Sequence, residues 1–234
     1  MYARQVEGTV YTFGASGKLI RNAMVMYDHQ TRSLWSHFLG QAVKGELVGT
    51  VLDFVPVTHT TWAAWRELNP DTLVLDKRGR SSRDSYQSYY TNGSAGVIGE
   101  SVRDERLPRK ERVVGVAGAT GVKAYSFSAL ELTPVVNDTF ADLDVVVLLD
   151  AAIQTGLAYS RTVEGRTLTF DLAPDGVGIF TALVDRETGS RWLALTGRAV
   201  EGEMKGATLE RVLSHLSFWF AWTDWNPETA LYGD

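Results

Sequence analysis

Residues 2–75 and 159–232 are one segment written twice, at a constant offset of 157 and without a gap. Tyr2-Ala3-Arg4-Gln5-Val6-Glu7-Gly8 returns as Tyr159-Ser160-Arg161-Thr162-Val163-Glu164-Gly165. Asp28, Thr31, Ser33 and Trp35 return as Asp185, Thr188, Ser190 and Trp192, and Gly40, Gly45, Glu46 and Gly49 as Gly197, Gly202, Glu203 and Gly206. Trp62, Trp65, Asn69 and Pro70 map to Trp219, Trp222, Asn226 and Pro227, and about 25 of the 74 positions are identical. A period this long means two copies of one packing unit, so the architecture must be built twice from the same local solutions.

Each copy reads as short strands bounded by glycine-containing turns, with one short helix near its end. In the first copy Val10–Gly14, Met24–Asp28, Leu34–Leu39 and Val51–Val57 carry the β-branched and aromatic residues of half-buried strands. The second copy repeats them at Leu168–Phe170, Ala182–Asp185, Trp192–Leu195 and Thr208–Val212. Asp185-Arg186-Glu187-Thr188-Gly189-Ser190 reads as a tight hairpin whose glycine supplies a positive φ, a place that Arg32 takes in copy one at a modest strain cost. Thr60 or Thr61 caps the helix of Trp62-Ala63-Ala64-Trp65, Ser217 that of Phe218-Trp219-Phe220-Ala221-Trp222, and Asn-Pro stops each. All seven tryptophans lie inside the copies and six form equivalent pairs, as a shared core requires. The fold class is therefore mainly β (α+β): two pseudo-repeated β-rich units, each with one short Trp-rich helix.

Between the copies the chemistry changes. The segment from Lys77 to Arg112 holds nine Lys or Arg against five Asp or Glu in a chain of net charge -5, so the copies themselves are acidic. Three stretches follow: 1–76 as the C-terminal part of a first unit, 77–111 as a basic, Tyr-containing connecting loop, and 112–234 as a complete second unit. Downstream, Arg112–Ala117, Lys123–Ser126 and Val145–Leu149 look like strands and Ser128–Leu132 like a helical turn. There is no cysteine, so neither disulfides nor thiolate metal sites are available. No run approaches a membrane span and no targeting segment is legible, which leaves localisation open between cytoplasm and export.

Several runs together resemble a mostly bacterial family, domain of unknown function 3179. They are Val25-Met26-Tyr27-Asp28 through Leu34-Trp35-Ser36, Pro70-Asp71-Thr72-Leu73-Val74-Leu75, Arg83-Asp84-Ser85-Tyr86 and Arg106-Leu107-Pro108-Arg109-Lys110-Glu111-Arg112-Val113, closing with Phe218-Trp219-Phe220-Ala221-Trp222. The resemblance covers nearly the whole chain and implies a fold without an activity. It also implies that a fuller unit runs from Arg112 to Asp234, so that copy one lacks roughly its first 45 residues. In the family that region commonly holds a Trp-His-Glu segment and a Cys-Pro-Leu-Cys motif, whereas the corresponding Asp150–Gly156 has no cysteine or histidine. An incomplete first unit is expected to self-associate through open edges.

The candidate chemistry is sparse. Val113–Gly121 ends in Gly-Ala-Thr-Gly but is followed by the alternating Val122–Phe127, so it reads as a hairpin turn, not a dinucleotide loop. Gly14-Ala15-Ser16-Gly17-Lys18 lacks phosphate-loop spacing and reads as a strand-end turn. His29, His37, His59 and His215 have no metal-ligand spacing, so no metal or cofactor is expected. Asp28 and Asp185 are weak catalytic candidates, as carboxylates that a pseudo-twofold would bring together; both also begin turns, where Asp bonds its own backbone. Arg83, Asp84, Tyr86 and Tyr89, outside the repeat, are the first choice for ligand binding. The acidic flanks argue against nucleic acid. The expectation is a binding or scaffold domain for a small molecule or protein; the alternatives are a hydrolase-like enzyme using these carboxylate, Arg and Tyr groups, or a fragment whose functional motif lay upstream.

Overall fold

The structure, a computed structural model, describes residues 1–76, 86–174 and 182–234. In chain order copy one supplies β1 (Gln5–Val6), β2 (Thr9–Val10), β3 (Phe13–Ile20), β4 (Ala23–Asp28), β5 (Leu34–Ser36), β6 (Gln41–Lys44) and helix α1 (Trp62–Leu68), and α2 (Gln87–Thr91) follows. Next come β7 (Arg112–Ala117), β8 (Val122–Ser126), α3 (Phe127–Leu132), β9 (Val135–Phe140), β10 (Leu143–Asp150) and β11 (Thr155–Ser160). Copy two adds β12 (Thr162–Val163), β13 (Arg166–Thr167), β14 (Phe170–Leu172), β15 (Ala182–Asp185), β16 (Arg191–Leu193), β17 (Arg198–Glu201), β18 (Ser214–Phe218), α4 (Trp219–Trp225) and β19 (Ala230–Leu231). The protein is mainly β, as its alternating apolar patterns require.

Two compact units result, and neither is continuous in sequence. Unit 1 takes Met1–Val57, Ser94–Arg109 and Trp219–Pro227; unit 2 takes Thr58–Gly93, Lys110–Phe218 and Glu228–Asp234. The helix of copy two therefore belongs to unit 1, and that of copy one to unit 2.

Unit 1 is built on the antiparallel sheet β3-β4-β5-β6. Arg21 and Asn22, both at positive φ, make the two-residue turn whose twist suits the β3–β4 hairpin. Trp35, Ala42 and Leu52 form the core, with Tyr2, Val6, Phe13, Met26 and Leu47 packed around them. Two expectations need correction here. Val51–Val57 is not a strand: its isolated bridges go to two different partners, Gln41↔Val51 at the edge of β6 and Tyr2↔Phe54 near the N-terminus, so no continuous ladder forms. Gly14–Lys18 is not a strand-end turn but a bulge inside β3, between Ala15 and Lys18, with Gly17 at φ +74° supplying the left-handed residue. Helix α4 is clasped by Ser94–Arg109. Trp219 Nε1 donates to the Asp104 carbonyl (3.2 Å), the Phe220 N–H to the Arg109 carbonyl (3.0 Å), and Asp224 Oδ1 accepts from the N–H groups of Ser101 (2.7 Å) and Val102 (3.0 Å).

Unit 2 is layered around a central sheet, β11-β10-β9. The run Val145-Val146-Val147-Leu148-Leu149 is apolar without alternation because β10 is buried on both faces. Val146 and Leu148 pack with Leu168, Phe170, Leu183 and Trp192, on the side of the β14-β15-β16-β17 sheet. Val145, Val147 and Leu149 pack with Val114, Val116 and Tyr125 of the β18-β7-β8-β19 sheet and with Phe127 and Leu130 of α3. The β7–β8 hairpin closes through a Gly118 N–H to Gly121 carbonyl bond (2.9 Å), so the Gly-Ala-Thr-Gly run is the expected turn.

The strand registers recur at the sequence offset: Phe13↔Asp28 beside Phe170↔Asp185, and Trp35↔Ala42 beside Trp192↔Ala199. The helices differ. Thr61 caps α1 as expected, its hydroxyl accepting from the Ala64 N–H (3.2 Å). Ser217 caps nothing, because it is paired with Val113 inside β18, and its hydroxyl donates to the Phe218 carbonyl. Trp219 and Trp222 are buried, but Trp62 and Trp65 are 50% and 41% exposed, against the expectation that all four pack in a core. The cause is the cover: Ser94–Arg109 wraps α4, whereas in α1 Trp65 Nε1 bonds the chain just after the helix, at the Thr72 hydroxyl (2.8 Å), and both rings of α1 stay exposed.

Candidate functional site

Asp28 ends β4 and opens a turn to β5, where a short polar side chain bonds its own backbone. Its Oδ1 accepts from the Thr31 N–H (2.5 Å) and hydroxyl (3.0 Å), and its Oδ2 from Trp35 Nε1 (2.9 Å). Asp185 does the same with Thr188 N–H (2.6 Å), the Thr188 hydroxyl (2.8 Å) and Trp192 Nε1 (2.8 Å). Both are fully buried. Burial pushes the Asp28 carboxyl up, but the bonds from Trp35 and Thr31 outweigh it and hold the group below the ordinary carboxylate range. A carboxylate whose oxygens are already occupied by fixed donors is poorly placed to take a proton from a substrate. What these two do is pin a tryptophan to a hairpin, once in each unit.

The central residues are only partly in view. Arg83 and Asp84 lie outside the described residues. Tyr86, 63% exposed, precedes α2, and Tyr89 lies within it. Lys110 Nζ donates to the Tyr89 carbonyl and lies 3.8 Å from the centre of its ring, while Phe218 meets Tyr89 edge-on at 6.3 Å. Tyr89 is thus a packed element of unit 2, with Lys110 as a cation–π partner.

A polar cluster that sequence reasoning missed joins β8 to β9. Asp138 Oδ2 accepts from Lys123 Nζ (2.7 Å) and from the Tyr125 hydroxyl (2.8 Å), and Tyr232 stacks on Tyr125 with ring centres 5.5 Å apart. Burial raises the Asp138 carboxyl, but the bonds from Lys123 and Tyr125 outweigh it, for a net downward shift; burial and then Asp138 push the Tyr125 phenol up. A phenol held so firmly protonated is a poor acid. The cluster closes on itself, and only the alternation of Lys123 and Tyr125 on one strand face hinted at it.

The remaining feature of unit 2 is a groove between its central sheet and the β14-β15-β16-β17 sheet, lined by Val135, Leu148, Leu157, Leu183 and Leu195, with half-exposed Leu172 among them. It measures about 350 Å³ including the part open to solvent. Asp150, on the turn from β10 to β11, is the carboxylate in this lining. Its Oδ1 accepts from the N–H groups of Ala152 (3.0 Å) and Ile153 (3.3 Å), which fixes the carboxylate, and Oδ2 is buried without a hydrogen-bond partner among the described residues. On the same turn Gln154 stands at φ +54°; its Nε2 donates to the Ala151 carbonyl (2.6 Å), and its Oε1 is likewise buried and unpartnered. Each unmade acceptor costs about 1–3 kcal/mol, and a left-handed residue other than glycine adds about 1 kcal/mol or more. Departures of this kind from local rules concentrate at functional sites. The sequence shows only an ordinary turn aspartate here.

Among the described residues no three His, Asp or Glu side chains group as metal ligands, and no helix is long and apolar enough to cross a membrane.

The family described as a protein of unknown function (DUF3179) matches residues 1–229 of the 234. The chain belongs to that family. No curated protein and no solved structure matches it. DUF3179 thus spans both copies and the stretch between them, and it assigns no chemistry to any residue.

Proposed function

We propose that this DUF3179 chain is a ligand-binding domain, not an enzyme, and that it holds its ligand in the leucine-lined groove of unit 2. The observation that carries the reading is an apolar lining that includes a single carboxylate residue, Asp150. Small-molecule sites have this composition: an apolar wall with a few placed polar groups. The better-known candidates favour binding over catalysis too, since Asp28 and Asp185 are consumed by Trp35 and Trp192. The test is methyl NMR of the full chain against a library of small aliphatic compounds. Shifts at Leu172, Leu183 and Leu195 are expected; shifts confined to the Tyr86 and Tyr89 segment would move the site to the central loop and end the groove reading.

A second reading, protein docking on α1, is favoured by one contrast. Trp62 and Trp65 are exposed with Leu73 (96%), Val74 (68%) and Leu75 (85%) nearby in sequence, and Trp65 Nε1 bonds the Thr72 hydroxyl (2.8 Å). Exposed aromatic and aliphatic side chains gathered in one segment are an interaction surface more often than chance. A Trp62→Ala, Trp65→Ala double variant that leaves every interaction of the full chain unchanged would remove this reading.

A further inference from the structure

We propose that Asn92 is a site of self-modification, converting through a cyclic imide with Gly93 to aspartate and isoaspartate, and that Lys110 assists the step. The chemistry needs an asparagine amide, a following backbone nitrogen that no side chain shields, and room for the chain to turn between them. Asn92 closes the short helix α2 in extended backbone, at φ -89° and ψ 160°, and both it and Gly93 are exposed. A Cβ built on Gly93 would meet nothing within 4 Å, so there is room for rotation about the Asn92 Cα–C bond, and glycine carries no side chain to hinder that turn. Lys110 Nζ donates to Asn92 Oδ1 (3.0 Å) and to the Tyr89 carbonyl, which holds an ammonium where negative charge gathers on Oδ1 during attack. The other four asparagines each fail a condition. Asn69 and Asn226 precede Pro70 and Pro227, whose nitrogen has no hydrogen to lose. Asn22 accepts at Oδ1 from the N–H groups of Val97 (2.8 Å) and Ile98 (3.0 Å) and donates from Nδ2 to the Gly99 carbonyl (2.6 Å). Asn137 is tied at both ends of its amide to the Phe170 backbone (2.8 Å each), and the residues after these two, Ala23 and Asp138, are fixed in β4 and β9.

In the step, the Gly93 nitrogen gives its proton to solvent base and attacks Asn92 Cγ; the N–Cγ bond forms, the Cγ–Nδ2 bond breaks, and the amide nitrogen leaves as ammonia. Water then opens the imide. Opening at Cγ leaves aspartate, and opening at the main-chain carbonyl leaves isoaspartate, with an added methylene in the backbone. The aspartate product sets a carboxylate beside the Lys110 ammonium where the amide oxygen stood, and the added methylene falls where the chain passes from unit 2 to unit 1, between Gly93 and Ser94. The experiment holds the full 234-residue chain for days in warm, mildly alkaline buffer, maps its peptides by mass spectrometry for the amide-to-acid mass gain, and labels isoaspartate at position 92 with an isoaspartyl methyltransferase. Conversion is expected at Asn92, severalfold faster than at Asn22 or Asn137, with isoaspartate among the products. Gly93→Ala should remove most of it; Gly93 is not at positive φ and an added Cβ there meets nothing, so this variant keeps the fold. Lys110→Met should slow the conversion severalfold. Conversion at Asn92 no faster than at Asn22 and Asn137, aspartate without isoaspartate, or a rate untouched by Gly93→Ala would overturn the imide route; a rate unchanged or raised in Lys110→Met would overturn the part given to Lys110.

Discussion

Replacing Asp28 by Asn changes charge and hydrogen bonding with almost no change of volume, so its cost can be worked from the bonds it breaks. The carboxylate accepts from Trp35 Nε1, the Thr31 N–H and the Thr31 hydroxyl at a site with no solvent exposure. An amide has one acceptor oxygen. Whichever way it turns, its NH₂ faces either the indole N–H or the Thr31 N–H, donor against donor. One buried donor left unmade costs about 1–3 kcal/mol, and replacing a charged acceptor by a neutral one loses about 1 kcal/mol more, which gives roughly 2–4 kcal/mol. At a urea m-value of about 2 kcal/mol/M the midpoint should fall by roughly 1–2 M. The assay is urea titration followed through the Trp35 indole N–H cross-peak, which should also move when its charged acceptor is lost. An unchanged midpoint together with an unmoved Trp35 peak would refute the reasoning, because the carboxylate would then not be the partner of the ring.

Three further outcomes are expected. The Asp28 and Asp138 carboxyls are depressed in the fold despite the opposing effect of burial, so their contribution is fully present above the unfolded value near about 3.9 and is lost as pH falls through the folded values. The urea midpoint should accordingly hold steady in the neutral range and drop below about pH 4, with a shallower drop in Asp28→Asn; a wild-type midpoint that holds steady on acidification to about pH 2 would contradict the shifts. Trp219→Ala should cost about 3–5 kcal/mol, whereas Trp62→Ala at the matching position of α1 should cost less than about 1 kcal/mol by calorimetry; equal losses would contradict the difference in burial. Gly40→Ala should destabilise strongly, since at φ +64° its Cβ would come within 2.2 Å of the Tyr2 ring, while Gly17→Ala, at φ +74° in open space, should cost only about 1 kcal/mol; similar melting shifts for the two would show that backbone strain alone decides.

What could be read from the sequence was whatever local chemistry dictates. The Asp-x-x-Thr-x-Ser-x-Trp pattern, written at Asp28 and Asp185, encodes a hairpin with its own side-chain clamp, and it forms the same bonds in both places. The unbroken apolar run of β10 marked a buried strand, and its two occupied faces explain the lack of alternation. What failed depends on neighbours distant in sequence. Val51–Val57 has strand-like residues, but its bridges are divided between Gln41 and Tyr2, so no ladder extends along it. Trp62 and Trp219 occupy matching positions of α1 and α4, yet only Trp219 is covered, by Ser94–Arg109 of its own unit. The candidate site was hidden for the same reason: Asp150 looks like a turn residue until the fold sets it beside leucines distant in sequence, such as Leu183 and Leu195. Arg83 and Asp84, prominent by charge, fall outside the described residues.

The account stands or falls on where an aliphatic ligand sits. Intermolecular NOEs between a bound small aliphatic compound and the protein methyl groups test this directly. Contacts to Leu172, Leu183 and Leu195 are the predicted result; contacts instead to Trp62, Trp65 and Leu73 would contradict it.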